Sequence, residues 1–146
     1  MQQAVDRDKE IAAVQAAVRE SITWCIPEKD RDRLYAHTAR DSSFFIFHPN
    51  SRSTIHGFDE FQAYAERIFF DPRFKAVSAD IKELRVNLSR GGDVAWFSCL
   101  LDDMGEWDGQ PVGWEDARWT GVLEKRDGVW LLVQQHFSLA TDAPQE

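Results

Sequence analysis

His48, directly before Pro49, and Arg118, which opens the run "RWTGVLEKRDGVWLLVQQHFS" (118–138), are the residues whose chemistry stands out. Imidazole exchanges a proton near neutral pH. A guanidinium can hold a carbonyl or carboxylate oxygen through parallel N–H groups. A base and an oxygen-binding cation facing one cavity would suit proton transfer beside a carbonyl. Arg118 lies in a strand-like run, and an unpaired buried guanidinium is costly. Its partner is therefore expected to be Asp102 or Asp116 inside the protein, a ligand oxygen, or both. For His48 the alternatives are a proton-transfer role and a hydrogen-bonded histidine beside a turn.

The register of the C-terminal hairpin follows from a two-residue turn at Asp127-Gly128. It sets Arg126 opposite Val129, Val122 opposite Val133, Thr120 opposite Gln135 and Arg118 opposite Phe137. The other face then pairs Leu123 with Leu132, Gly121 with Gln134 and Trp119 with His136, because side chains alternate across a strand. A three-residue turn over 108–110 sets Leu100 opposite Arg118, Ser98 opposite Thr120 and Trp96 opposite Val122. One face thus carries Trp96, Ser98, Leu100, Asp102, Arg118, Thr120, Gln135 and Phe137, the aromatic and polar mixture of a ligand cavity. The other carries Phe97, Cys99, Leu101, Trp119, Leu123, Trp130, Leu132 and His136, an apolar surface suited to a second subunit.

The elements that must position these residues can be read from periodicity. Ile11, Val14, Val18, Ile22 and Cys25 mark one face of a first helix, capped by Asp6 or Asp8 and stopped by Pro27. A second short helix is expected from Glu28 to about His37, presenting Leu34, Tyr35 and Thr38. "SSFFIFHP" reads as a strand. A third helix after Gly57 places Phe58, Phe61, Ala65 and Ile68 on one side, and Asp71-Pro72 ends it. Strands then cover 76–88, 94–103, 117–126 and 129–137, separated by Gly-rich turns. Helices packed on one side of a curved antiparallel sheet would bury both apolar surfaces, an α+β arrangement.

Composition narrows the function classes. The 146 residues carry a net charge of −8, with 43% hydrophobic residues, 6 Trp and 10 Phe. An acidic chain without a basic cluster repels phosphate backbones, so nucleic acid and anionic membranes are not expected partners. No apolar run approaches the ~20 residues of a membrane span, and the N-terminus lacks a signal-peptide layout. Cys25 and Cys99 are expected as free thiols in a cytoplasmic protein. The carboxylates of "DDMGEWDGQPVGWED" read as a solvated hairpin tip rather than a metal loop, so no metal or cofactor is expected. Trp107 and Trp114 flank that tip; surface packing is the expectation, against closure over the pocket mouth.

"DARWTGVLEKRDGVWLLVQQHFS" resembles the C-terminal hairpin of SnoaL-like domains in the nuclear transport factor 2-like superfamily. "RLYAHTARDSSFFIFHP" is similar to that family's second helix running into its first strand. The resemblance spans the whole chain in element order. It implies one SnoaL-like domain over 1–146, with an ordered core of about 6–140. The implied fold is a cone-shaped α+β arrangement of three N-terminal helices on a curved sheet, with a pocket between them and dimerisation through the outer sheet face. Ketosteroid isomerases share the fold and hold a carboxylate base just before a Pro; His48 occupies that position here, while Ile22 and Thr120 stand near their other two catalytic groups. The association domain of calmodulin-dependent kinases is similar over the "R-W … RDG-W … V" portion. Arg118 matches one of its pocket arginines, with Ser98 and Phe137 at two others.

The expected protein is a homodimer joined through Phe97, Trp119, Trp130, Leu132 and His136. Its pocket takes a small apolar or aromatic carbonyl-bearing ligand, with His48 and Arg118 as catalytic residues. Trp24, Tyr35, Trp96, Ser98, Asp102, Thr120, Gln135 and Phe137 are the expected ligand-binding residues. Isomerase, hydratase or cyclase chemistry stands against a non-catalytic binding or oligomerisation module, and the sequence leaves that choice open.

Overall fold

The computed structural model describes residues 5–142. Helix α1 (Arg7–Thr23) starts where the Asp6 carboxylate accepts a hydrogen bond from the Lys9 backbone N–H, and it buries Val14, Ala17 and Val18. Helix α2 (Arg31–Ala36) is capped in the same way by Asp30 and is shorter than the expected span. Strands β1 (Phe45–Phe47) and β2 (Ile55–His56) precede α3 (Gly57–Tyr64), which continues into a π-helical turn over Ala65–Phe69. β2 is an addition to the elements read from sequence, because two residues carry no periodicity.

Four long strands complete the chain: β3 (Phe74–Leu88), β4 (Val94–Trp107), β5 (Gln110–Arg126) and β6 (Val129–Ser138). The six strands form one sheet in the order β2-β1-β6-β5-β4-β3, antiparallel except where β1 runs parallel to β6. The acidic run read as a hairpin tip is instead paired strand over most of its length, and the tip itself is Asp108-Gly109.

Helices cover only one sheet face. It is the face that carries Ala95, Phe97, Cys99, Leu101, Ala117, Trp119, Leu123, Trp130 and Leu132, all buried in one cluster with Val14, Val18, Leu34 and Phe61 of the helices. The assignment of the two faces made from sequence is therefore reversed. Phe97, Trp119, Trp130 and Leu132 cannot form a subunit interface, since the chain's own helices enclose them. The physical reason is plain: the apolar stripes of three amphipathic helices need the most apolar face available, and hydrophobic burial outweighs any preference for a mixed surface. Trp96, Ser98, Arg118 and Thr120 project outward and are exposed.

The register between β4 and β5 does pair Leu100 with Arg118, Ser98 with Thr120 and Trp96 with Val122. A two-residue turn and a bulge in β5 combine to give the offset that a three-residue turn would give. The turn at Asp127-Gly128 also forms as expected, with Arg126 opposite Val129 and both turn residues at positive φ. Beyond Leu123–Leu132 the pairing departs from expectation. Val133 is an extra residue in β6, so Val122 meets Gln134, Trp119 meets Phe137 and Arg118 meets Ser138. Past that bulge Gln135 and Phe137 turn inward, while His136 turns outward and is exposed.

The β5 bulge depends on one glycine. Gly113 has φ +129°, and a Cβ there would lie 2.1 Å from the Asp103 carbonyl oxygen. Gly109 has φ +81° at the hairpin tip with open space around it. Gly109→Ala should therefore cost about 1 kcal/mol of backbone strain alone. Gly113→Ala adds a clash with backbone and should cost upwards of ~3 kcal/mol. Urea denaturation of both variants checks this; equal losses would contradict the bulge geometry.

Candidate active site

Between the helices and the covered sheet face lies a cavity of about 360 Å³. The end of α1 contributes Ile22, with Trp24 and Cys25 just beyond it, and α2 contributes Leu34. Phe61, Tyr64, Ile68 and Phe69 come from α3 and its π-helical turn, and His48 and Ser53 from the segment between β1 and β2. The sheet supplies Asp103 from β4, Val112 and Trp114 from β5, and Gln135 and Phe137 from β6.

Two interruptions of strand alternation bring those last residues together. β4 keeps its alternation, so Phe97, Cys99, Leu101 and Asp103 follow one another inward. In β5, Glu115 and Asp116 oppose Asp102 alone, and Asp116 takes φ 52°. Ala117 and Trp114 consequently face the same side. The displaced Asp116 N–H donates to Asp102 Oδ1 at 2.8 Å, and Lys82 Nζ bridges the Asp102 and Asp116 carboxylates. The Val133 bulge does the same for Gln135 and Phe137. Phe137 stacks on Trp119 at 5.3 Å, and Trp119 Nε1 donates to Gln135 Oε1 at 3.1 Å. That bond satisfies a buried indole donor whose loss would cost ~1–3 kcal/mol.

The His48 ring lies between the Phe137 and Tyr64 rings, at centroid distances of 5.5 and 5.8 Å. Its Nδ1 is 2.7 Å from the Ser53 carbonyl oxygen. A carbonyl can only accept, so Nδ1 carries the proton and Nε2 of the neutral ring keeps its lone pair. Burial holds the imidazole below its ordinary range, opposed only by the Ser53 carbonyl. The Asp103 carboxyl behaves in the opposite sense: burial alone pushes it up to about 6. No hydrogen bond or ion pair to its side chain exists among the described residues. Burial thus moves the two groups in opposite directions, weakening the imidazole as a base and strengthening the carboxylate. Burial also raises the Tyr64 phenol, and it raises the Cys25 thiol to about 11, which leaves that sulfur protonated and inert at neutral pH.

Of the residues expected at the site, His48, Trp24, Gln135 and Phe137 line this cavity. Tyr35 is buried beside it, edge-on to Phe58 and Phe61, without joining the lining. Arg118, Trp96, Ser98, Asp102 and Thr120 lie on the far side of the sheet. Arg118 donates to Ser138 Oγ at 3.0 Å and leaves Asp102 and Asp116 to Lys82. His48 and Arg118 therefore cannot share a ligand atom. Asp103 and Tyr64 went unrecognised in the sequence, and Trp114, weighed there between the pocket mouth and surface packing, lines the cavity. Asp103 was accessible to reasoning, since it continues the Phe97, Cys99, Leu101 alternation by one step. Trp114 required the bulge, for which Gly113 is the one local sign.

The chain belongs to the SnoaL-like domain family, whose model matches residues 14–142. Its fold is that of nuclear transport factor 2-like proteins. It is similar to a candidate dehydratase of that family from Streptomyces avermitilis, at 17% identity over 92% of this chain and 99% of the other (TM-score 0.72). It is equally similar to a type 2 hexachlorocyclohexane dehydrochlorinase, at 18% identity over 97% and 92% (TM-score 0.72). A calmodulin-dependent kinase II hub homology domain from Chlamydomonas reinhardtii shares 25% identity over 89% and 98% (TM-score 0.64). Comparison with curated proteins finds no match. Among the described residues, no helix is long and apolar enough to cross a membrane.

The raised carboxyl has a consequence for stability. Protonated Asp103 contributes stability that is complete below its unfolded value near 3.8 and lost as pH rises through about 6. Asp103→Asn removes the titration. The variant should therefore gain about 2–3 kcal/mol relative to wild type between pH 4 and pH 8. Urea melts of both proteins at the two pH values measure the difference; a constant offset would contradict an unpaired buried carboxyl.

Proposed function

We propose that the chain is an enzyme of proton transfer at carbon, acting on a small, largely apolar molecule in the aromatic cavity. The observation that carries this reading is the pair of proton-accepting groups there: an imidazole whose Nδ1 is fixed by the Ser53 carbonyl, and an unpaired carboxyl at about 6. A base of that strength is matched to neutral pH. Asp103 or His48 takes a proton from carbon, and the same group, now protonated, returns it at a different position. Isomerisation follows when the proton returns to another carbon, and dehydration when it goes to a hydroxyl oxygen whose C–O bond breaks to release water; hydration is the reverse of that step. The candidate dehydratase among the similar structures supports an elimination of that kind. The free thiols Cys25 and Cys99 fit a cytoplasmic setting.

Exchange of the α-hydrogens of 2-indanone in D₂O, followed by proton NMR, tests the reading without a known substrate. Wild type should accelerate exchange, and the rate should fall as pH drops below about 6, where Asp103 is protonated. His48→Ala and Asp103→Asn should each lower the rate about a hundredfold. Equal rates for wild type and both variants would sink the proposal.

A second reading, assembly, draws on the outer sheet face. It carries Trp96 and Phe47 at 47% and 45% exposure, together with His136, Thr120 and Arg118, and no helix covers it. We propose that two copies meet there, in keeping with the similarity to a hub homology domain. Sedimentation equilibrium should show a dimer for wild type and a monomer for Trp96→Glu. A monomeric wild type would remove the assembly reading and leave the catalytic one untouched.

A further inference from the structure

We propose that the natural ligand of this cavity is an organic cation, a small aromatic or alicyclic body bearing a positively charged nitrogen. The charge balance of the wall is the first argument. Asp103 is its one acidic residue, no lysine or arginine lines it, and the Asp103 side chain has no polar partner among the described residues. Such a wall repels anions and leaves a carboxylate uncompensated. A bound cation would supply the missing counter-charge.

The aromatic lining is the second argument. Trp24, Tyr64, Phe69, Phe74, Trp114 and Phe137 surround the space, and the negative faces of such rings attract a cation most strongly where water is excluded. A cavity of about 360 Å³ falls within the range of small-molecule sites and can accept a ring carrying an ammonium or iminium group.

The proton-transfer chemistry proposed above supplies the third argument, which rests on that reading. Removing a proton from a neutral ketone such as 2-indanone leaves an enolate, which this cavity meets without a guanidinium because Arg118 lies across the sheet, so a ketone is the slower substrate. A protonated imine changes the balance. The C–H bond beside it breaks, its electron pair becomes the new C=C bond, and the C=N pair moves onto nitrogen. The proton goes to Asp103 or His48, and the product is a neutral enamine. No anion forms in the apolar site, and no further reactant is needed.

Binding of phenyltrimethylammonium and of its uncharged isostere tert-butylbenzene, measured by ligand-observed NMR, separates charge recognition from shape. Wild type should bind the cation at least about tenfold more tightly than the isostere. Asp103→Asn should abolish that preference, and Asp103→Glu should retain part of it. Three results would overturn the proposal: no saturable binding of the cation at millimolar concentrations, equal binding of the two probes, or an unchanged preference in Asp103→Asn. Exchange of 2-indanone is read separately. Its absence alongside cation selectivity would remove the proton-transfer reading and leave cation recognition standing.

Discussion

Among the described residues, Asp103 is the one acidic residue facing the aromatic cavity, and its side chain has no hydrogen bond or ion pair there. Water would stabilise the ionised carboxylate; the cavity walls do not, and the proton is held up to about 6. His48 meets the same medium with the opposite result, because a cationic ring is what burial disfavours there. One physical condition, low polarity around two titratable groups, thus lowers the proton affinity of the imidazole and raises that of the carboxyl. The remaining architecture keeps that condition in place. The polar bonds His48 to Ser53 and Trp119 to Gln135 hold their own side chains and do not reach the carboxyl.

The sheet could not present these residues as an unbroken lattice. Regular alternation in β5 would pair Ala117 with Glu115 and Gly113 on the inner face and turn Trp114 out. Regular alternation in β6 would turn Phe137 out and His136 in. The two bulges reverse both outcomes, and the one in β5 has two local features. Lys82 gathers Asp102 and Asp116 where β5 widens, and Gly113 admits the Asp103 carbonyl where a side chain would collide.

Much of the architecture was legible before any coordinates. The hydrophobic stripe of α1, the strand character of "FFIF" and the turn at Asp127-Gly128 all fix local geometry through short-range patterns. The β4–β5 register also agreed, through two compensating features rather than the single turn assumed. What sequence patterns lacked was the choice of covered face, which depends on where three separate helices pack. Trp119, exposed in the expected arrangement, is fully buried, and Arg118, expected in the pocket, is at the surface. Bulges at Val133 and Glu115–Asp116 depend on long-range pairing and leave only weak local marks. His48 lines the cavity, and its place after β1 depends on neither face nor bulge.

The carboxyl of Asp103 offers the most direct view of the central claim. Its ¹³C resonance, followed through a pH titration of the ligand-free protein, should move with a midpoint at about 6. A midpoint near the ordinary 3.8 would mean that the group is solvated or paired, and an apolar cavity around an uncompensated carboxyl would not describe this protein.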